Sequence, residues 1–171
     1  MRVFSIRLFI GLITLFVLIC SASFAQELKY RGVGFRGGLT VDPDQVHVGF
    51  HLDLGEFVKN LRFQPNLEIG FDDDLFIAAI NGEVNYLFQA IGEWVPYLGG
   101  GIGINFINDG HGRFKDDNDI EVGLNLLGGL EKVIGEDGRK FFGEIKFGLV
   151  DSPDFKLTFG LTFRSRTEEV K

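Results

Sequence analysis

Between Leu61 and Phe71 the chain reads LRFQPNLEIGF, with apolar side chains at every second position and polar residues or glycine between them. Successive side chains of a strand point to opposite faces, so this segment has one apolar and one partly charged face. A surface helix would instead repeat its apolar positions about every 3.6 residues. The two-residue rhythm returns in about eight segments. In the first, Val33, Phe35 and Leu39 oppose Gly32, Gly34, Arg36 and Gly38; in the second, Val46, Val48, Phe50, Leu52 and Leu54 oppose His47, Gly49, His51 and Asp53. Leu61–Phe71 is the third. The fourth sets Phe76, Ala78, Ile80, Val84, Tyr86 and Phe88 against Asn81, Glu83 and Asn85, with Ile77 and Ala79 also on the polar side. The fifth sets Leu98, Ile102, Ile104 and Phe106 against Tyr97, Asn105 and three glycines. In the sixth, Ile120, Val122, Leu124, Leu126 and Leu130 oppose Glu121, Asn125 and Glu131. The seventh has Phe141, Ile145, Phe147 and Leu149 against Glu144 and Lys146, and the eighth Phe155, Leu157, Phe159, Leu161 and Phe163 against Lys156, Thr158, Thr162 and Arg164.

The linkers are short and none carries a helix pattern. Consecutive strands joined so closely pair antiparallel, and closing the sheet removes its edges. The pattern predicts an all-β protein, an eight-stranded antiparallel up-and-down β-barrel. Pro65 has no N–H to donate to a ladder, so a bulge or a local loss of pairing is expected in the third strand.

Two barrels fit this alternation. A soluble, lipocalin-like carrier would turn its apolar faces inward around an apolar ligand; a transmembrane barrel would turn them outward to lipid and keep a polar lumen. Three features favour the membrane. Eleven residues at ~3.4 Å each, tilted by ~40°, span roughly 28 Å, close to the apolar band of such barrels. The polar face mixes glycine and asparagine with both charge signs, as a narrow lumen of compensating ion pairs requires. Antiparallel pairing through the Asp72–Asp74 turn brings Arg62 across from Glu83 or Asn85. Finally, Trp94, Tyr97, Tyr86 and Phe88 lie where strands meet turns, as an interfacial aromatic girdle would. The sequence also lacks a Gly-x-Trp near the first strand and a helix after the last, two lipocalin marks.

The chain's first residues read as an address. Arg2 and Arg7 precede an apolar run from Leu8 to Ile19, and Ser21–Ala25 supplies small residues for cleavage after Ala25, the layout of a secretory signal peptide over residues 1–25. The run is short for a membrane helix, and Ile19 before Cys20 disfavours a lipoprotein. Cleavage removes the only cysteine, so residues 26–171 can form no internal disulfide and must be held by burial and hydrogen bonds. This mature piece is one domain by length, with strands over about 28–164 and a tail at 165–171. It keeps 15 of the 17 basic residues against 24 acidic ones, a net charge of −9. Such a surface excludes nucleic acid as a partner.

The candidate polar network of the lumen comprises Arg36, His47, His51, Asp53, Arg62, Glu68, Glu83, Glu121, Glu144, Lys146 and Lys156. The linkers after the first, third, fifth and seventh strands hold 11 of the chain's 13 aspartates and so gather them at one rim. Both chain ends would be periplasmic, which puts that rim outside. Asp72, Asp73, Asp74, Asp116, Asp117 and Asp119 there offer hard oxygen ligands, so weak Ca²⁺ or Mg²⁺ binding is a candidate property. The plain alternative is that aspartate favours turns, and the DDND segment lacks EF-hand spacing. No cofactor is implied. Gly32-Val33-Gly34-Phe35-Arg36-Gly37 matches a dinucleotide fingerprint, but it lies in a strand where the fingerprint needs a helix N-terminus. His47 and His51 lie roughly 13 Å apart along one face, too far to share a metal. His51 and Asp53 are neighbours that could hydrogen-bond, and acyl-transfer chemistry would need a third group such as Thr158. The expectation is therefore a non-enzymatic protein.

The segments PYLGGGIGINF (Pro96–Phe106) and KLTFGLTF (Lys156–Phe163) carry a resemblance. Over residues 28–164 the chain resembles the small eight-stranded outer-membrane barrels of Gram-negative bacteria, the OmpA/OmpX-like, porin-like group. The resemblance implies an outer-membrane location, with membrane lipid and the barrel-assembly machinery as partners. It leaves any protein partner unknown, and the role is structural, surface contact or passage of very small solutes. Such barrels often end on an aromatic residue read during assembly; here Phe163 is followed by Arg164 to Lys171.

Overall fold

A computed structural model describes residues 28–42, 44–72, 75–109, 117–150 and 152–165, with backbone only for 75, 108, 109 and 117–119. The expected signal peptide and residues 166–171 of the expected tail lie outside the described residues. The strands are β1 (Gly32–Val41), β2 (Gln45–Asp53), β3 (Glu56–Val58), β4 (Leu61–Phe71), β5 (Leu75–Leu87), β6 (Val95–Asp109), β7 (Asp117–Ile134), β8 (Arg139–Val150) and β9 (Phe155–Arg164). Their order is β2-β1-β9-β8-β7-β6-β5-β4-β3, and β2 also pairs with β4, which closes the sheet. β2 and β3 lie along successive parts of β4, separated at Gly55 (φ 73°). They fill one position, so the protein is an eight-stranded antiparallel up-and-down barrel.

The period of two decides which side each residue takes. Phe35 is 65 % exposed and its neighbour Arg36 only 3 %. The same inversion runs through every long strand. Val48, Phe50, Ile80, Leu98, Ile102, Leu126, Phe147 and Phe159 face outward, while His47, Gln64, Asn66, Glu83, Asn85, Glu144 and Thr158 are buried in the lumen. An apolar exterior around a charged interior overturns the lipocalin-like alternative, which needed the reverse.

Two expectations from the sequence are corrected, and a third, at Pro65, is met as a local loss of pairing rather than a bulge. Asp109, Asp117 and Asp119 belong to strands: the β6–β7 ladder runs on through Ile107↔Asp119 to Asp109↔Asp117. Backbone pairing continues there whatever the side chains, because the hairpin extends past the apolar belt. Tyr97 is no girdle residue; it is 4 % exposed and faces the lumen, whereas Tyr86 and Phe88 pack edge to face on the outside. Trp94 remains near the outer wall against Phe141, with the Lys132 ammonium 5.0 Å from its ring. Pro65 causes no bulge toward β5, since pairing is continuous through Pro65↔Gly82. Its effect falls on the other side. Phe63 donates to the Gly55 carbonyl and accepts from the Leu54 N–H, so the Pro65 nitrogen, two residues on, faces the same way. The β2–β4 ladder ends one residue earlier, at His51↔Asn66.

Closure depends on β1 meeting β9 over ten residue pairs, Gly32↔Arg164 to Val41↔Phe155. Lumen-side Gly38 allows the close approach, since a Cβ there would overlap the Leu157 carbonyl oxygen. Gly38→Ala should therefore destabilise the refolded barrel by about 1–3 kcal/mol, read from urea unfolding in detergent. An unchanged midpoint would show that the seam has slack.

Candidate functional site

Among the described residues, the lumen is where the fold concentrates chemistry. Arg36 from β1 lies at its centre. Its Nη1 donates to Glu68 of β4 at 3.1 Å and stands 3.5 Å from Glu83 of β5 and 3.8 Å from Glu144 of β8. Lys146 donates to Glu83 at 2.5 Å and to Glu68 at 3.5 Å, and Lys156 donates to Glu68 at 2.9 Å. Glu68 thus receives three cations from three strands. The Tyr97 hydroxyl donates to Glu144 at 3.0 Å, and the Arg36 guanidinium lies 5.4 Å from the Phe142 ring. Toward the end where β1 begins and β9 ends, Arg62 donates to Glu131, and Lys140 contacts Glu131 at 3.4 Å and Asp53 at 3.3 Å. Five cations therefore face five carboxylates. In a poorly solvated lumen such groups stay charged only when paired.

Neutral groups fill the rest. Asn81 donates to Asn66 at 2.9 Å and Asn85 to Gln64 at 3.0 Å. His47 bridges Thr40 and Thr158 at 3.0 Å each, and His51 pairs with Thr162 at 2.8 Å. His51 does not bond Asp53, whose oxygens take the Gly55 N–H and Lys140. Across-strand neighbours are nearer to it than the next lumen residue along its own strand, about 7 Å away. His47 and Thr158 meet, but both are buried to within 1 % and no carboxylate bonds that pair, so they offer a substrate nothing.

Two further corrections concern partners. Arg62 lies opposite Asn85 in register but pairs with Glu131 across the lumen, so the expected Arg62–Glu83 contact is replaced by Glu83–Lys146. Glu121 is only half-buried and joins no part of the central network. It lines a vestibule of about 260 Å³ with Asp42, Asn105, Ser152 and Asp154 at the opposite, Asp-rich rim. Sequence reasoning left Glu131, Tyr97, Lys140 and the amides out of the network, although each sits at a lumen-side position of its strand. Among the described residues no cluster of histidine, cysteine and carboxylates is arranged to hold a metal. Asp72 directly follows β4 and is exposed; Asp73, Asp74 and Asp116 lie outside the described residues, as do the side chains of Asp117 and Asp119.

Below that vestibule the lumen narrows. The β8–β9 connection tucks inward through Gly148 N–H to Asp154 O at 3.1 Å, and Asp154 N–H to Asp42 O at 3.3 Å. Beneath Ser152 and Pro153 a void of only about 10 Å³ remains among Asn81, Asn105, Asn125, Lys146 and Lys156. That is room for about one water.

No protein-family model matches the chain, and no curated protein matches it by sequence. Its fold matches solved structures. The N-terminal β-barrel domain of Pseudomonas aeruginosa OprF aligns at TM-score 0.63 and 12% identity, covering 80% of this chain and 98% of that one. Neisserial surface protein A aligns at TM-score 0.59 and 13% identity, covering 80% and 96%. The Yersinia pestis outer membrane protein Ail aligns at TM-score 0.51 and 10% identity, covering 80% and 100%. The chain thus has the fold of the small eight-stranded outer-membrane β-barrels.

Removing one partner from a buried ion network typically costs about 3–5 kcal/mol. Glu68→Ala should lose stability on that scale by urea unfolding, whereas Glu121→Ala at the rim should change it by less than about 0.5 kcal/mol. Equal effects would mean that Glu68 is not the hub.

Proposed function

We propose that this protein is an integral outer-membrane barrel, exported by a cleaved signal peptide, whose lumen is sealed by its own side chains. It acts without catalysis, as a structural or surface-contact element of the cell envelope. Its partners are membrane lipid and, during biogenesis, the barrel-assembly machinery. The observation that carries this reading is the inversion of the sheet: outward Phe, Ile, Leu and Val around a lumen holding Arg36, Glu68, Glu83, Glu144 and Lys146 at 4 % exposure or less. Such an exterior is insoluble in water unless lipid or detergent covers it.

Passage of very small solutes is the competing role. It is disfavoured by the ion network and by the void of about 10 Å³ next to Lys146 and Lys156. An ion crossing there would have to separate buried pairs, which is slow and costly.

Cell fractionation should find the protein in the outer membrane and release it only with detergent; recovery in the soluble periplasm would end the membrane reading. In planar bilayers the refolded wild type should pass no discrete current. Glu83→Ala, which strips Lys146 of its 2.5 Å partner, should open measurable conductance. Steady current through the wild type would instead support the pore.

A further inference from the structure

The lumen end where β1 begins and β9 ends holds a cavity, lined in part by the Asp53–Lys140 pair, that the cluster around Arg36 and Glu68 does not fill. Its volume is about 220 Å³, and its walls include Arg31, Lys140, Arg164, Asp53, Thr162 and Val133. Three of these residues are cationic and one is anionic. The anion is committed: one Asp53 oxygen accepts the Gly55 N–H at 2.9 Å and the other accepts Lys140 at 3.3 Å. Two of the cations retain donors. Arg31 reaches Glu56 through Nη1 only at 3.5 Å, while its Nε is buried against Gly55 with no acceptor among the described residues, so the guanidinium keeps hydrogens beyond the Glu56 contact. Lys140 touches two carboxylates, Asp53 and Glu131, with three ammonium hydrogens to give. Arg164 lies along the β7–β8 turn at Gly138, where a Cβ would meet its Cδ at 3.3 Å.

We propose that this cavity binds a phosphate group, as the free ion or as the ester of a lipid headgroup. Guanidinium forks and an ammonium converging on one space call for an acceptor-only anion with oxygens in several directions. Phosphate supplies these, whereas a carboxylate has two oxygens in one plane. The cavity leaves space beyond the anion for an ester substituent, and Val133, 62 % exposed at the rim, gives that substituent an apolar wall. The Thr162 hydroxyl adds a neutral donor or acceptor beside its His51 bond. The opposite vestibule, with Asp42, Glu121 and Asp154 in its walls, has the wrong sign for the same ligand. The site does not depend on whether the lumen conducts.

The test uses the full mature chain refolded in a non-ionic, phosphate-free detergent. Equilibrium dialysis with radiolabelled inorganic phosphate should show saturable binding of one ion per barrel. Arg31→Gln and Arg164→Gln, both on partly exposed side chains, should weaken it about tenfold each, the loss expected for one charge-assisted hydrogen bond. Arg139→Gln removes the same charge from the same hairpin, but Arg139 is bound to Asp137 at 2.7 Å and is outside the cavity wall. That variant should stay within about twofold of wild type, since screened surface charge contributes little. A second arm follows phosphatidylglycerol and the phosphate-free dioleoylglycerol by native mass spectrometry from the same micelles. Selective retention of one phosphatidylglycerol, lost in Arg164→Gln, assigns the site to a lipid headgroup. Binding of inorganic phosphate without lipid retention assigns it to the free ion. No saturable binding in either arm, or equal weakening by Arg139→Gln, overturns the proposal.

Discussion

The unpaired strand edge is the constraint from which the rest follows. Hydrocarbon offers no partner to a backbone N–H or C=O, and each orphaned group costs several kcal/mol there. A sheet with this apolar exterior can therefore have no open edge inside lipid, and β1 must meet β9. The ten pairs from Gly32↔Arg164 to Val41↔Phe155 meet that demand. They leave so little space that glycine occupies lumen-side positions of β1 where a Cβ would strike the carbonyls of β9. Pro65 obeys the same rule: its missing donor faces the β2 side at the point where that ladder already stops. The chain then bridges the gap with the short β3.

Closing eight strands leaves a lumen too narrow for bulk water, which makes pairing obligatory for every charge inside it. The pairs link strands distant in sequence: Arg36 joins β1 to β4, β5 and β8, and Arg62 joins β4 to β7. Buried ion pairs add little net stability compared with apolar packing. Their larger effect is on register. A one-residue slip of β4 would turn Glu68 toward lipid and Leu67 into the lumen, stranding three cations at once. Stability of the sheet and closure of the lumen are therefore one arrangement seen from two sides.

The sequence made the faces legible and left the partners obscure, for a physical reason. Facing follows from a period of two that is local, so parity alone sets Arg36, Glu68 and Glu144 inside. Pairing across the lumen is not local. The hairpin neighbours of Arg62 point to Glu83 and Asn85, but a long side chain in a closed barrel reaches the opposite wall, where Glu131 waits. Tyr97 carries two conflicting signals, an inward parity and an aromatic type near a turn. Parity prevails because a lumen partner, Glu144, accepts a hydrogen bond from its hydroxyl. At Asp109 and Asp117, composition suggests turns while the backbone keeps pairing, since side-chain polarity does not limit a ladder beyond the lipid.

The two mouths of the lumen carry opposite signs, and this bears on how the barrel is closed. Asp42, Glu121 and Asp154 line one vestibule; Arg31, Lys140 and Arg164 line the other cavity against a single, already bonded Asp53. A cation drawn to the first mouth meets Lys146 and Lys156 below it and three cationic side chains at the exit. An anion entering from the far end meets Glu131, then Glu68 and Glu83, and finally the acidic rim. Neither sign finds a downhill path, because attraction at each entrance becomes repulsion at the other, within a few Debye lengths. On the sealed-lumen reading proposed above, each mouth repels the ion that the other attracts, and the paired, close-packed centre supplies the steric part of the barrier. A variant that opened the centre but left both mouths intact, as Glu83→Ala does, would therefore pass a measurable but small current, since each mouth would hold its preferred ion before releasing it.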